Sequence, residues 1–340
     1  MSNKVSVAVL DTGIDKNHEY LKDNIIGGIA FKCTDEYIVI SDEYDDNHGH
    51  GTSCASIIKK EFENVGLFPV KVLDDNGRSN IQVLEEALKY ILETDIRLIN
   101  LSLSVMNCEM VQDLYEICNE LNRKEKIIVC SLANGFEESY PAIFDNVIGV
   151  KGFILEDEKS FWYNKNEKIQ CIMDNNPYLT CDIGNSYKLF GKSNSQVAAK
   201  LTGKIAKILA INPKISLDEL HEKLEFEALK NKWINQDLLT SKRYPDYKKD
   251  LYKRDNKNLT EIIHLVKSFL DIDKEDKEIE EYGLFSTHIG LSYDNCFKLL
   301  KLMEEKFNFN LEYMNISRYD FWSVYTLTDI VENNLNKLGE

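Results

Sequence analysis

Continuous apolar runs of strand length punctuate the first part of the chain. VSVAVL (5–10), LFPVKVL (67–73), IRLINLSL (96–103), KIIVCSL (126–132) and NVIGVKGF (146–153) show little polar alternation, the pattern of strands buried on both faces. Segments of helical period lie between them. In the clearest, Asn80 to Glu93, residues Ile81, Leu84, Ala87, Leu88, Ile91 and Leu92 share one face, with Asn80 or Ser79 as the N-cap. This alternation predicts an α/β fold with a mostly parallel sheet flanked by helices. In such sheets the chemistry gathers at the carboxyl ends of the strands.

The pattern changes after residue 212. SLDELHEKLEFEAL (216–229) pairs Ser216 with Glu219 in a capping box and predicts a helix. SKRYPDYKKDLYKRDNKN (241–258) is densely charged, contains Pro245 and reads as a solvated linker. Helical periodicity then returns without strand signals. The expected organisation is an α/β domain over 1–212, a helix and charged linker over 213–258, and a small all-α domain over 259–340.

Composition narrows the function. Hydrophobic residues form 43% of the 340, enough for a real core. A formal net charge of −16 would repel phosphate, which excludes a general nucleic-acid binder. No apolar run approaches the ~20 residues needed to cross a bilayer, so no membrane partner is expected. The opening MSNKVSVAVLDTG has no basic n-region or cleavage site. The first strand starts near residue 4, so no N-terminal prodomain is expected. The eight cysteines are scattered without metal-ligand spacing and read as reduced thiols. A cytoplasmic location is the expectation.

Three segments carry candidate chemistry: VAVLDTGID with Asp11, DDNHGHGTSCAS with His50, and GKSNSQVAA with Ser193. A serine hydroxyl is a weak nucleophile. It needs an imidazole to take its proton and a carboxylate to orient that imidazole. Each segment alone also reads as an ordinary turn or loop, and the signal lies in their order.

In that order, Asp then His then Ser, residues 1 to about 210 resemble the subtilisin-like serine proteases, the subtilases. INLSLS (99–104) resembles the segment that lines the family's substrate cleft, which implies substrate contacts at Ser102, Leu103 and Ser104, with Ala133, beside Asn134, as a further expected contact. LANG (132–135) resembles the oxyanion segment and implies Asn134 as the side-chain donor. The resemblance selects His50, which precedes Gly51-Thr52, over His48. It implies a peptide substrate, no cofactor for the chemistry, and compatibility with a structural calcium ion, although no ligand loop stands out. Cys54 reads as a small buried apolar residue.

The chain departs from the family around the nucleophile. Lys192 precedes Ser193, Asn194 and Gln196 stand where small residues are usual, and Val197 replaces a proline. Ser104 and Ala133 replace glycines. None of these removes a reacting group. The acidic run DEYDD (42–46) raises the expectation of a basic preference in the cleft, against a plain reading as a solvated loop.

Residues 259–340 resemble an acyl carrier protein: a first helix over 259–273, a long loop, a helix from Asn295 to Phe307 entered through Ile289-Gly290-Leu291, and a short last helix holding 326–335. Tyr293 occupies the place of the carrier's serine, so phosphopantetheine is not expected. A one-residue shift would bring in Ser292, and an unrelated helical bundle is the alternative. A subtilase joined to a degenerate carrier resembles proteins of bacterial systems that mature ribosomally made, modified peptides. This pairing implies a leader peptidase whose C-terminal domain recruits the precursor or a modifying enzyme. A catalytically inactive peptide-binding scaffold is the other reading.

Overall fold

The computed structural model describes residues 4–34, 37–106, 111–240 and 258–338. Most of the charged stretch 241–258 therefore lies outside the described residues. Two compact units emerge. The first comprises 1–176, 181–186 and 191–243, and the second 177–180, 187–190 and 244–340.

A nine-stranded sheet organises the first unit. Its strands are β1 (Val5–Asp11), β2 (Ile29–Cys33), β3 (Ile38–Ser41), β4 (Val65–Lys71), β5 (Leu98–Leu101), β6 (Ile127–Ser131), β7 (Ile148–Phe153), β8 (Phe161–Tyr163) and β9 (Cys171–Asp174). They run in the order β3-β2-β4-β1-β5-β6-β7-β9-β8. Only the outermost pairs, β2–β3 and β8–β9, are antiparallel. The five apolar runs form β1, β4, β5, β6 and β7, all inside the parallel part.

Helices cover both faces. α1 is His50–Glu61, α2 Ile81–Leu92, α3 Gln112–Arg123 and α4 Asn194–Ile211. Ala8 and Leu10 of β1 share a core cluster with Leu84, Leu88 and Ile91 of α2 and Leu114, Ile117 and Leu121 of α3. Asn80 caps α2 by accepting from Val83 N–H at 2.9 Å. α1 and α4 pack along one another on the other face. They touch so closely that a Cβ on Gly203 would sit 2.4 Å from Glu61 Cβ and 2.8 Å from Ile58 O. Near their starts, Ser102 lies against both Cys54 of α1 and Ser195 of α4. The two helices are therefore parallel, with their N-termini at one end. α5 (Leu217–Glu227), with the Ser216–Glu219 capping box formed, and α6 (Asn235–Thr240) belong to this unit as well.

The second unit holds α7 (Leu259–Leu270), α8 (Asp276–Glu281), α9 (Cys296–Phe307) and α10 (Val324–Leu338). Ile262, Ile263, Val266, Leu299, Met303 and Leu327 meet in its core. Two corrections follow. The unit is not all-α, because Pro177–Thr180 and Tyr187–Phe190 belong to it. These segments come from a hairpin of β10 (Tyr178–Asp182) and β11 (Ser186–Phe190), and they bring Leu179 and Leu189 into the core. The hairpin escaped the sequence reading because it precedes the helical region by some eighty residues (Tyr178 against Leu259). The last helix is not short either, at 15 residues. Tyr293 lies in the single 3-10 turn before α9, its ring 5.4 Å from that of Phe285. Among the described residues, no helix is long and apolar enough to cross a membrane.

Candidate active site

Asp11 is the last residue of β1, fully buried at a strand's carboxyl end. Its Oδ1 accepts the Thr12 N–H at 2.8 Å and pairs with His50 Nδ1 at 2.7 Å. With Nδ1–H donating to the carboxylate, Nε2 is left as the basic nitrogen.

Glycine explains how α1 comes this close to β1. A Cβ on Gly51 would lie 2.1 Å from Gly13 O and 3.0 Å from Asp11 Cβ. The two motifs then bond across the gap. Gly51 N–H donates to Thr12 Oγ1 at 3.0 Å, and Asp15 N–H donates to Thr52 Oγ1 at 2.9 Å. Asp-Thr-Gly and His-Gly-Thr are thus two halves of one interlocked turn.

Asp46 anchors the start of α1 and was not singled out by the sequence. It is 6% exposed. Oδ1 accepts from His48 N–H and Gly49 N–H, each at 2.9 Å, and Oδ2 from Thr52 N–H at 3.0 Å and the Thr52 hydroxyl at 2.7 Å. Burial alone would raise its pKa. The hydrogen bonds from the Thr52 hydroxyl and the Gly49, Thr52 and His48 backbone outweigh burial and hold the carboxyl below its usual range. The only available signal was an aspartate just ahead of a helix, and the acidic run around it hid that.

His48 is exposed, and its ring centroid stands 6.2 Å from that of His50. Asp11 pairs with His50 instead. Cys54 is fully buried beneath this pair. Among the described residues Asp11, His50 and Cys54 form the one tight group of metal-binding residue types, with ligand atoms within 4.8 Å of one another. Burial, then the neighbouring Asp11 charge, pushes the Cys54 thiol well above its ordinary pKa, so it stays protonated.

Ser193 is the N-cap of α4, and its Oγ accepts from Gln196 N–H at 3.3 Å. Lys192 before it adopts a left-handed φ of 53°. Asn134 lies on the turn after β6, and its Oδ1 accepts the Asn194 N–H at 2.9 Å, leaving Nδ2 to donate elsewhere. Among the described hydrogen bonds none uses the Ser193 N–H. The site thus offers a carboxylate–imidazole pair, a hydroxyl at a helix N-terminus, and two N–H donors near it.

A cleft of about 700 Å³ opens beside His50. Ser102, Leu103 and Ser104, just past the end of β5, line it, together with Leu73, Ile81, Leu84 and Met106. Ala133 does not line it. His48 and Arg78 are on its wall, and none of Asp42–Asp46 is. Asp42, Glu43 and Asp45 instead line a neighbouring cavity, where Asp45 pairs with Lys16 at 2.6 Å. The basic preference expected from that run therefore has no carboxylate in this cleft to support it.

Comparison with known proteins agrees with this geometry. The model of the subtilase family, peptidase S8, matches residues 2–250. The major intracellular serine protease of Bacillus subtilis (strain 168) is 30% identical over 252 residues, covering 69% of this chain and 77% of that protein. The intracellular serine protease of Paenibacillus polymyxa is 29% identical over 220 residues, covering 60% and 66% respectively. Among solved structures, sphericase superposes with a TM-score of 0.56 at 19% identity, over 66% of this chain and 83% of its own, a likeness of fold. The chain belongs to the subtilase family of serine endopeptidases.

Proposed function

We propose that the chain is an intracellular endopeptidase in which Asp11, His50 and Ser193 form the catalytic triad. The observation that carries this reading is the 2.7 Å pairing of His50 Nδ1 with the buried Asp11 carboxylate, at the same end of two parallel helices as the Ser193 hydroxyl. Ser193 gives its proton to His50 Nε2 and attacks the scissile carbonyl. The oxyanion that forms is received by the Ser193 N–H and Asn134 Nδ2. Collapse expels the amine, which takes the proton back from His50, and water then repeats the sequence to release the acid. One such donor contributes roughly 3 to 4 kcal/mol in subtilisin, itself a member of this family. Ser102 to Ser104 bind the peptide along the cleft. No step requires a cofactor.

A fluorophosphonate probe tests the triad. Labelling at Ser193 is expected, with Ser193→Ala unlabelled and its kcat lower by roughly 10⁶-fold, the scale established for subtilisin. An unlabelled parent protein would leave peptide binding without hydrolysis, the scaffold reading, as the function.

The finer proposal is removal of a leader from a ribosomally made, modified peptide. Its support is the second unit, a largely helical body with its own core and a tyrosine, Tyr293, where a carrier would attach its arm. That unit serves as a binding module for the precursor or its modifying enzyme. Incubating the full-length protein with the precursor peptide encoded nearest its gene should give one cut, at the leader–core junction. Cuts spread equally over that peptide and unrelated unfolded proteins would mark a general protease instead.

A further inference from the structure

The residue after Ser193 carries an amide that the proposed chemistry does not use. Asn194 opens α4 and is 7% exposed. Its Nδ2 donates to Leu132 O at 2.8 Å and lies 3.5 Å from Ala133 O. Its Oδ1 accepts the Gly152 N–H of β7 at 2.8 Å. Its backbone N–H is the donor to Asn134 Oδ1. One residue therefore joins three segments: the turn bearing Asn134, strand β7, and the helix that starts at the serine.

These bonds fix the turn in two ways. The Leu132 and Ala133 carbonyls are tied to the start of α4, so the main chain beneath Asn134 cannot slide relative to Ser193. The Asn134 amide is held by its oxygen, which commits its Nδ2 to the opposite side. The preceding peptide is fixed as well, because Lys192 N–H donates to Asn175 O at 3.0 Å. An apolar residue at 194 could fill the same volume, but it would leave the buried Leu132 carbonyl and the partly buried Gly152 N–H without these partners.

We propose that Asn194 is a positioning residue that sets the separation between the two oxyanion donors, the Ser193 N–H and Asn134 Nδ2. The inference rests on the triad reading above. Such donors act on the charge that develops in the transition state, and only at the right distance from it. The ground-state peptide is held elsewhere, at Ser102 to Ser104. Loosening the clamp should therefore lower kcat and leave KM nearly unchanged.

The experiment is a mutant cycle on the full chain: Asn194→Ala, Asn134→Ala and the double variant. Asn194→Ser, a smaller side chain that stays polar, guards against misfolding. Steady-state kinetics and inhibition by a peptide boronate, which mimics the tetrahedral adduct, are the readouts. Asn134→Ala should lower kcat by ~10² to 10³. Asn194→Ala should lower kcat about tenfold, and weaken the boronate in proportion, with KM within about twofold. Added to Asn134→Ala it should cost less than about twofold more, because its effect passes through Asn134. Full additivity, an effect carried by KM, an unchanged kcat, or unfolding of both the alanine and serine variants would overturn the inference. These outcomes in a protein that fluorophosphonate labels at Ser193 leave the triad standing, whereas an unlabelled parent overturns both.

Discussion

The two helices that carry His50 and Ser193 at their starts begin in opposite ways. α1 takes its cap from outside. Its N-cap is Gly49, with no side chain to offer, and Asp46 gathers the N–H groups of His48, Gly49 and Thr52. α4 caps itself, because Ser193, the proposed nucleophile, accepts from Gln196 N–H with its hydroxyl oxygen. The difference follows from what each end must do. The His50 ring is engaged with Asp11 through Nδ1, and in the proposed triad its other nitrogen receives the serine proton, so it has no atom to spare for capping. Ser193 loses nothing by capping, since accepting an N–H leaves its own proton to give away. The positive end of α4 also favours charge building on that oxygen.

The sharpest way to break this arrangement is Gly51→Ala. The new Cβ must push α1 from Gly13 O, 2.1 Å away, and a displacement of that kind should lower kcat ~10²-fold with the fluorophosphonate rate falling alongside. A smaller effect is expected from Asp46→Asn, which puts an NH₂ group where an oxygen now receives Thr52. Chemical denaturation should show a loss of about 1 to 3 kcal/mol. The pH dependence of the parent has a definite sign. Asp46 has a lower pKa folded than unfolded, so its contribution is complete above the ordinary carboxylate range and is lost as pH falls through the folded value. The parent should therefore lose more stability than Asp46→Asn on acidification from about pH 5 to pH 2. Equal losses would mean that Asp46 is not the anchor of α1. The mildest change is Thr12→Val, which removes the acceptor for Gly51 N–H and should cost about 1 kcal/mol in the same measurement.

What could be read from the chain depended on how local its cause was. The five parallel strands were legible because burial on both faces leaves a continuous apolar run. The three residues of β8 are too short to carry such a signal. Asn80 and Ser216 were legible as caps because a cap and its helix are adjacent in sequence. Asp11 and His50 were marked by the glycines and threonines that let their two segments approach one another. Asp46 and Asn194 were hidden for different reasons. An aspartate among acidic neighbours reads as solvated, and an asparagine gives no local sign that its partners lie on the Leu132–Asn134 turn and on β7.

The hairpin of β10 and β11 has a consequence for how the chain is made. Leu179 and Leu189 leave the ribosome with the first unit, but the core they complete needs α7, α9 and α10. During synthesis of the last ~80 residues these two leucines have no apolar shelter of their own. Protein truncated before Leu259 should keep that surface open and draw proteases or aggregate. The second core is thus stitched to the first by chain order, and cutting the gene at the charged stretch would not yield two self-sufficient pieces.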